Sequence, residues 1–118
     1  MKTKDFALDK MISKLIKLCA AELQLNKLPK ISIVDTPTVG SDHSFGVFDG
    51  NTISVVSANR HPADVLRTLA HEIVHWKQQL SGQDMDGSTG SDTENEANAK
   101  AGEIMRKFGE KYPELFIL

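Results

Sequence analysis

His71 and His75 stand four residues apart, with Glu72 directly after the first, in the run His71-Glu72-Ile73-Val74-His75. On a helix, residues four apart share one face, one turn from each other. Two imidazoles so placed can grip a single tetrahedral cation, and zinc takes histidine nitrogens at about 2.0–2.1 Å. Glu72 then projects beside the metal rather than onto it. From there a carboxylate can take a proton from an activated water and return it to a leaving group. The pattern points to metal-assisted hydrolysis, with His71 and His75 as ligands, Glu72 as catalytic base and one Zn2+ ion as cofactor. Five-residue patterns also arise by chance on exposed helices, so the surroundings decide their weight.

Two imidazoles do not complete such a site, and no histidine follows His75. Patterns finished by a third, downstream histidine are therefore excluded, and carboxylates remain. The stretch Thr93-Glu94-Asn95-Glu96-Ala97-Asn98-Ala99 supplies Glu94 and Glu96. Two residues apart on a helix, they point to roughly opposite faces, so only one can meet the metal. Both also read as partners in a capping box, Glu94 with Ser91 and Glu96 with Thr93.

At this point the chain resembles the gluzincins, the thermolysin-like group of zinc peptidases. Their ligand glutamate stands in an Asn-Glu-Ala context on the helix after the motif helix. Asn95-Glu96-Ala97 reproduces that triplet, 21 residues beyond His75. The resemblance implies Glu96 as the third ligand, with Glu94 its rival. It also implies a hairpin before the motif helix, whose first strand is the sheet edge along which substrate lies. Ser44, Phe45, Gly46 and Val47 are the expected substrate-binding residues.

The match runs over about residues 44–108 and is most similar to the minigluzincins, which lack the large carboxy-terminal domain. A fainter resemblance, from His71 to Phe108, is to small phage-encoded proteins. Two departures stand out. Larger gluzincins carry an aspartate four residues after the ligand glutamate to orient a histidine, and Lys100 occupies that position after Glu96. Asn95 or a backbone carbonyl is expected to orient the imidazole instead. Their oxyanion-stabilising histidine or tyrosine comes from a later domain, for which His43 and Tyr112 are the candidates here. The implied function is a zinc-dependent metallopeptidase acting on peptide or protein substrates. The alternative is an inactive or latent zinc-binding protein serving as an interaction module, with a helix or the apolar tail in the cleft.

The elements that must position these residues follow from periodicity. Apolar residues from Phe6 to Leu25 recur at helical spacing and predict a helix over Asp5–Asn26, ended by Pro29. Ile31-Ser32-Ile33-Val34 predicts a short strand. Residues 45–48 and 52–56 flank Asp49-Gly50-Asn51 and predict a tight hairpin. His61-Pro62 opens the motif helix, which carries an apolar stripe of Val65, Leu66, Leu69, Ile73, Trp76 and Leu80 and stops near Gly82. A loop over 81–91 and a helix over Asp92–Gly109 follow, and Tyr112-Pro113 begins the tail. The expected fold is α+β: a zincin-like minimal single domain over 1–118, its small antiparallel-edged sheet packed on the three helices.

Composition sets the outer bounds. At 118 residues the chain supplies one core. A lone cysteine, Cys19, rules out an internal disulfide and reads as a small buried hydrophobe. Seven lysines face three acids in residues 1–30, the solvated side of an amphipathic helix rather than a nucleic-acid surface, since clustered arginines and interleaved aromatics are missing. No apolar run approaches the roughly 18 residues of a membrane span, and no signal-like segment opens the chain. The expected location is the cytoplasm, that of the host if the chain is phage-encoded. No nucleic-acid or membrane partner is expected.

Overall fold

A computed structural model describes residues 6–37, 44–82 and 91–117. Helix α1 spans Phe6–Glu22, strands β1, β2 and β3 span Lys30–Val34, Gly46–Phe48 and Thr52–Val56, and helices α2 and α3 span Pro62–Leu80 and Asp92–Lys111. A short 3-10 turn over Pro113–Ile117 follows. His43 and most of the 81–91 loop lie outside the described residues.

α1 ends four residues earlier than its apolar pattern suggests. Gln24 adopts a left-handed φ of 53°, and the Leu25 and Gln24 N–H groups donate back to the Ala20 and Ala21 carbonyls. This is a Schellman closure, usually built on glycine. α2 starts where expected: Pro62 takes the first helical position and His61 Nδ1 accepts from the Ala63 N–H at 3.0 Å. Gly82, at φ +77°, follows its C-cap Ser81. α3 continues two residues beyond the expected Gly109.

β3 is the middle strand, parallel to β1 and antiparallel to β2. The hairpin turn is held by Asp49 Oδ1, which accepts from the Asn51 and Thr52 N–H groups, while Gly50 supplies φ +98°. The same two N–H groups, Thr52 first, hold the Asp49 carboxyl below its usual range.

Ile53 and Val55 alternate onto the buried face of the sheet, where α2 packs across β3 and β2. α1 and α3 pack against α2 and each other. One core joins Leu8, Ile12, Leu15 and Cys19 of α1 to Val65, Leu66, Leu69 and Ile73 of α2 and to Ala97, Ile104 and Phe108 of α3. Trp76 Nε1 donates to the Lys27 carbonyl, and Gln79 Nε2 to the Gly50 carbonyl, fastening both flanks of α2. α2 is thus packed against the sheet, α1 and α3, and it carries both motif histidines. Among the described residues, no helix is long and apolar enough to cross a membrane.

Candidate metal centre

The α2 register brings the motif together as the four-residue spacing requires. The His71 and His75 rings meet edge to face, centroids 4.7 Å apart, with their Nε2 atoms 3.1 Å apart. Glu94, in the first turn of α3, reaches both: one carboxylate oxygen is 2.8 Å from His71 Nε2, the other 3.1 Å from His75 Nε2. The ligand atoms of His71, Glu72 and His75 also lie within 4.8 Å of one another. Of the two carboxylates, Glu94 is therefore the direct neighbour of the imidazoles, while Glu72 stands beside them, buried against β2.

The structure thus brings Glu94, and not the expected Glu96, to the two imidazoles. Glu96 Oε1 instead accepts from Gln78 Nε2 at 2.8 Å, and the residue is exposed. The reason lies in the buried face of α3, which is Ala97, Ala101, Ile104, Met105 and Phe108. Glu94 continues that face at i−3 from Ala97, whereas Glu96 is rotated about 100° away. Ser91 caps the helix by accepting from the Glu94 N–H at 3.2 Å, so the Ser91 frame is the one used. The Glu94 side chain is then turned toward α2 rather than back to the cap.

Donor accounting at His75 describes the site's charge. Gln78 Nε2 donates to the Thr93 carbonyl and to Glu96 Oε1, both at 2.8 Å and both acceptors only. The amide orientation is thereby fixed, and its Oε1 faces His75 Nδ1 at 2.7 Å. Nδ1 must carry the proton and donate. In neutral His75, Nε2 then presents a lone pair toward Glu94 and toward His71 Nε2. Burial pulls the His71 imidazole below its ordinary range; the Glu94 charge opposes that, His75 adds to it, and donation to the Glu94 carboxylate and the nearby Asn98 side chain oppose it. The net direction favours neutral His71.

Two imidazole nitrogens and a carboxylate oxygen at these distances need a proton or a cation between them to offset the repulsion of their lone pairs. Donors bound to zinc at about 2.0–2.1 Å in a tetrahedron stand ~3.3 Å apart, close to the spacings here. The residues present fit the ion.

Of the groups expected to orient an imidazole, Asn95 is exposed on α3, and the outer nitrogen of His75 faces the Gln78 amide. Asn98 lies four residues after Glu94, one turn along the same face, and is the smallest of the influences on the His71 imidazole. Lys100, suspected as the anomalous occupant of that place, instead sits 3.7 Å from Glu103 on the exposed side.

The edge strand is only partly as expected. The Phe45 carbonyl accepts from the Val56 N–H and the Asp49 N–H donates to the Thr52 carbonyl. By the alternation of an antiparallel ladder, Phe45 and Val47 turn their backbone groups toward β3, and Gly46 and Phe48 turn theirs outward. Of the four expected residues, Gly46 has outward backbone, Phe45 and Val47 do not, and Phe48 joins it. Ser44 is half-buried just before the strand. Phe45 itself lies under the Arg60 guanidinium, 4.5 Å from ring centroid to Cζ.

Tyr112 does not reach the centre. It packs on Phe108, with Lys14 4.5 Å above its ring. It follows the last residue of α3, and 18 residues of helix from Glu94 at about 1.5 Å each place it ~27 Å away. The other oxyanion candidate, His43, lies outside the described residues.

Gln78 and Asn98 are not among the expected site residues. Both signals were present as spacing: Gln78 is three residues after His75 and Asn98 four after Glu94, the offsets that share a helix face. No family model matches the chain, and neither curated proteins nor solved structures give a match.

Proposed function

We propose that the chain is a minimal zincin-like, gluzincin-type zinc metallopeptidase acting on peptide or protein substrates. The observation that carries this reading is the convergence of His71 Nε2, His75 Nε2 and the Glu94 carboxylate within 3.1 Å of one another, with Glu72 beside them. His71, His75 and Glu94 would hold one Zn2+, which when bound supplies Lewis acidity toward a carbonyl and lowers the pKa of water. Relative to the gluzincin pattern, Glu94 takes the ligand role and Asn98 the place of the orienting aspartate.

The chain's own residues divide the remaining work. Glu72, buried against Gly46, removes a proton from the attacking water and delivers it to the departing amine nitrogen. Gly46 and Phe48 offer outward N–H and C=O groups along β2, onto which an extended peptide adds as another strand. The Gly46 backbone lies against the Glu72 side chain, so a peptide paired there runs past the base. Main-chain pairing supplies register, and it selects extended peptide over other hydrolysable bonds.

The test is digestion of a broad peptide library by zinc-loaded protein. Wild type should cleave and lose activity on chelation, and Glu72→Ala should bind zinc yet cleave nothing. Cleavage retained by Glu72→Ala would sink the mechanism. Zinc binding without cleavage by wild type would favour the interaction-module reading.

A further inference from the structure

Gln78 is fully buried, an uncommon setting for an amide, and each of its polar atoms has a defined partner. Its Oε1 accepts from His75 Nδ1; its Nε2 donates to the Thr93 carbonyl and to Glu96. Thr93 immediately precedes Glu94. The same amide therefore touches the outer nitrogen of one imidazole and the backbone that presents the carboxylate. We infer that Gln78 is a positioning residue that sets two of the three donors at once, fixing the tautomer of His75 and the approach of Glu94.

The physical argument has two parts. A histidine offers Nε2 to a cation only if its proton resides on Nδ1, and an acceptor at Nδ1 stabilises that form. Gln78 can be that acceptor because its N–H2 side is committed to two acceptors that would repel Oε1. A free amide would flip; this one is held. The second part concerns α3. Its first turn carries Glu94 at the end of a helix whose buried residues begin only at Ala97. Hydrogen bonds from Gln78 to Thr93 and Glu96 bracket Glu94 on either side and tie that turn to α2. Glu96 accordingly orients the amide at one remove from the centre.

The inference rests on the metal-binding reading above, and the measurements separate the two. In metal-free wild type, long-range 1H–15N spectra taken above the imidazole range should show His75 as the Nδ1–H tautomer. A predominant Nε2–H form would overturn the inference whether or not zinc binds. Zinc affinity, read by competition with a chromophoric chelator, should fall about 10–100-fold in Gln78→Leu. Gln78→Glu, which keeps an acceptor opposite Nδ1 but sets an oxygen against the Thr93 carbonyl and Glu96, should retain the tautomer while still losing zinc affinity. Affinity unchanged in Gln78→Leu, or a tautomer lost in Gln78→Glu, would overturn it. If Gln78→Leu does not fold, Gln78→Glu and the wild-type spectrum decide. A wild type that binds no zinc removes the metal-binding reading, and the tautomer then decides the role of Gln78 alone.

Discussion

The Glu94 carboxylate spans both motif imidazoles, one oxygen on His71 and the other on His75, from a different helix than theirs. Removing it takes away a charged donor, whereas removing Glu96 takes away only one of two acceptors that hold Gln78. Glu94→Ala should weaken zinc by more than the roughly 100-fold upper range for loss of an outer partner, and Glu96→Ala by ~10-fold or less. Isothermal titration of both variants checks the order. The reverse ranking would restore Glu96 as the ligand.

Asn98 is a neutral side chain that acts on the His71 imidazole from one turn beyond Glu94. Asn98→Ala should cost about 10-fold in zinc affinity. Asn98→Asp supplies the carboxylate that larger gluzincins use and should bind at least as tightly as wild type. Weaker binding by Asn98→Asp than by Asn98→Ala would show that the neutral amide is required.

Gly46 is where β2 closes onto α2. A Cβ at this position would sit 2.5 Å from Thr68 Cγ2 and 3.4 Å from Glu72 Cγ. The threonine methyl branches directly from Cβ and has little freedom to yield inside a helix. Gly46→Ala should destabilise the fold by about 1–3 kcal/mol, through overpacking. Denaturant midpoints measure that cost, and peptidase activity per folded molecule should also drop as Glu72 is displaced. An unchanged midpoint would mean that the strand shifts freely.

Burial, with a lesser contribution from the Glu22 charge, pushes the Cys19 thiol up to about 12. In the unfolded chain it ionises near its ordinary ~8.5. The folded pKa is the higher one, so its contribution is intact below ~8.5 and is lost as pH rises toward about 12. At pH ~10 the loss is about 2 kcal/mol. Cys19→Ala, though less stable at neutral pH, should show a shallower fall in melting temperature between pH 7.5 and 10. Parallel falls would contradict the assignment. Native Cys19 should also resist alkylation until the chain unfolds.

Much of this organisation is legible in the sequence where one physical signal dominates. The His61-Pro62 start of α2 and the Asp49-Gly50 hairpin turn follow from local chemistry, and both stand in the structure. The end of α1 does not, because Gln24 takes a left-handed conformation that glycine usually advertises. The choice between Glu94 and Glu96 was readable but obscured. The Asn95-Glu96-Ala97 triplet favours one glutamate, while the apolar spacing through Ala97, Ala101 and Phe108 places the other on the inward face. Periodicity is set by packing of the whole helix, and it outweighs a three-residue likeness. Gln78 looks like an ordinary polar surface residue until α3 covers it. Tyr112 was attractive as the one tyrosine, and helix length alone disposes of it.

The division of the centre between α2 and α3 has a mechanical consequence. A cation shared by His75 and Glu94 acts as a staple across the intervening chain, and such closures favour the folded state by restricting the unfolded one. Its grip would fall on the first turn of α3, ahead of the helix's buried residues Ala97, Ala101, Ile104, Met105 and Phe108. Chelation should therefore loosen that turn while the rest of the helix holds. Amide exchange would register metal occupancy as a local latch rather than as global unfolding.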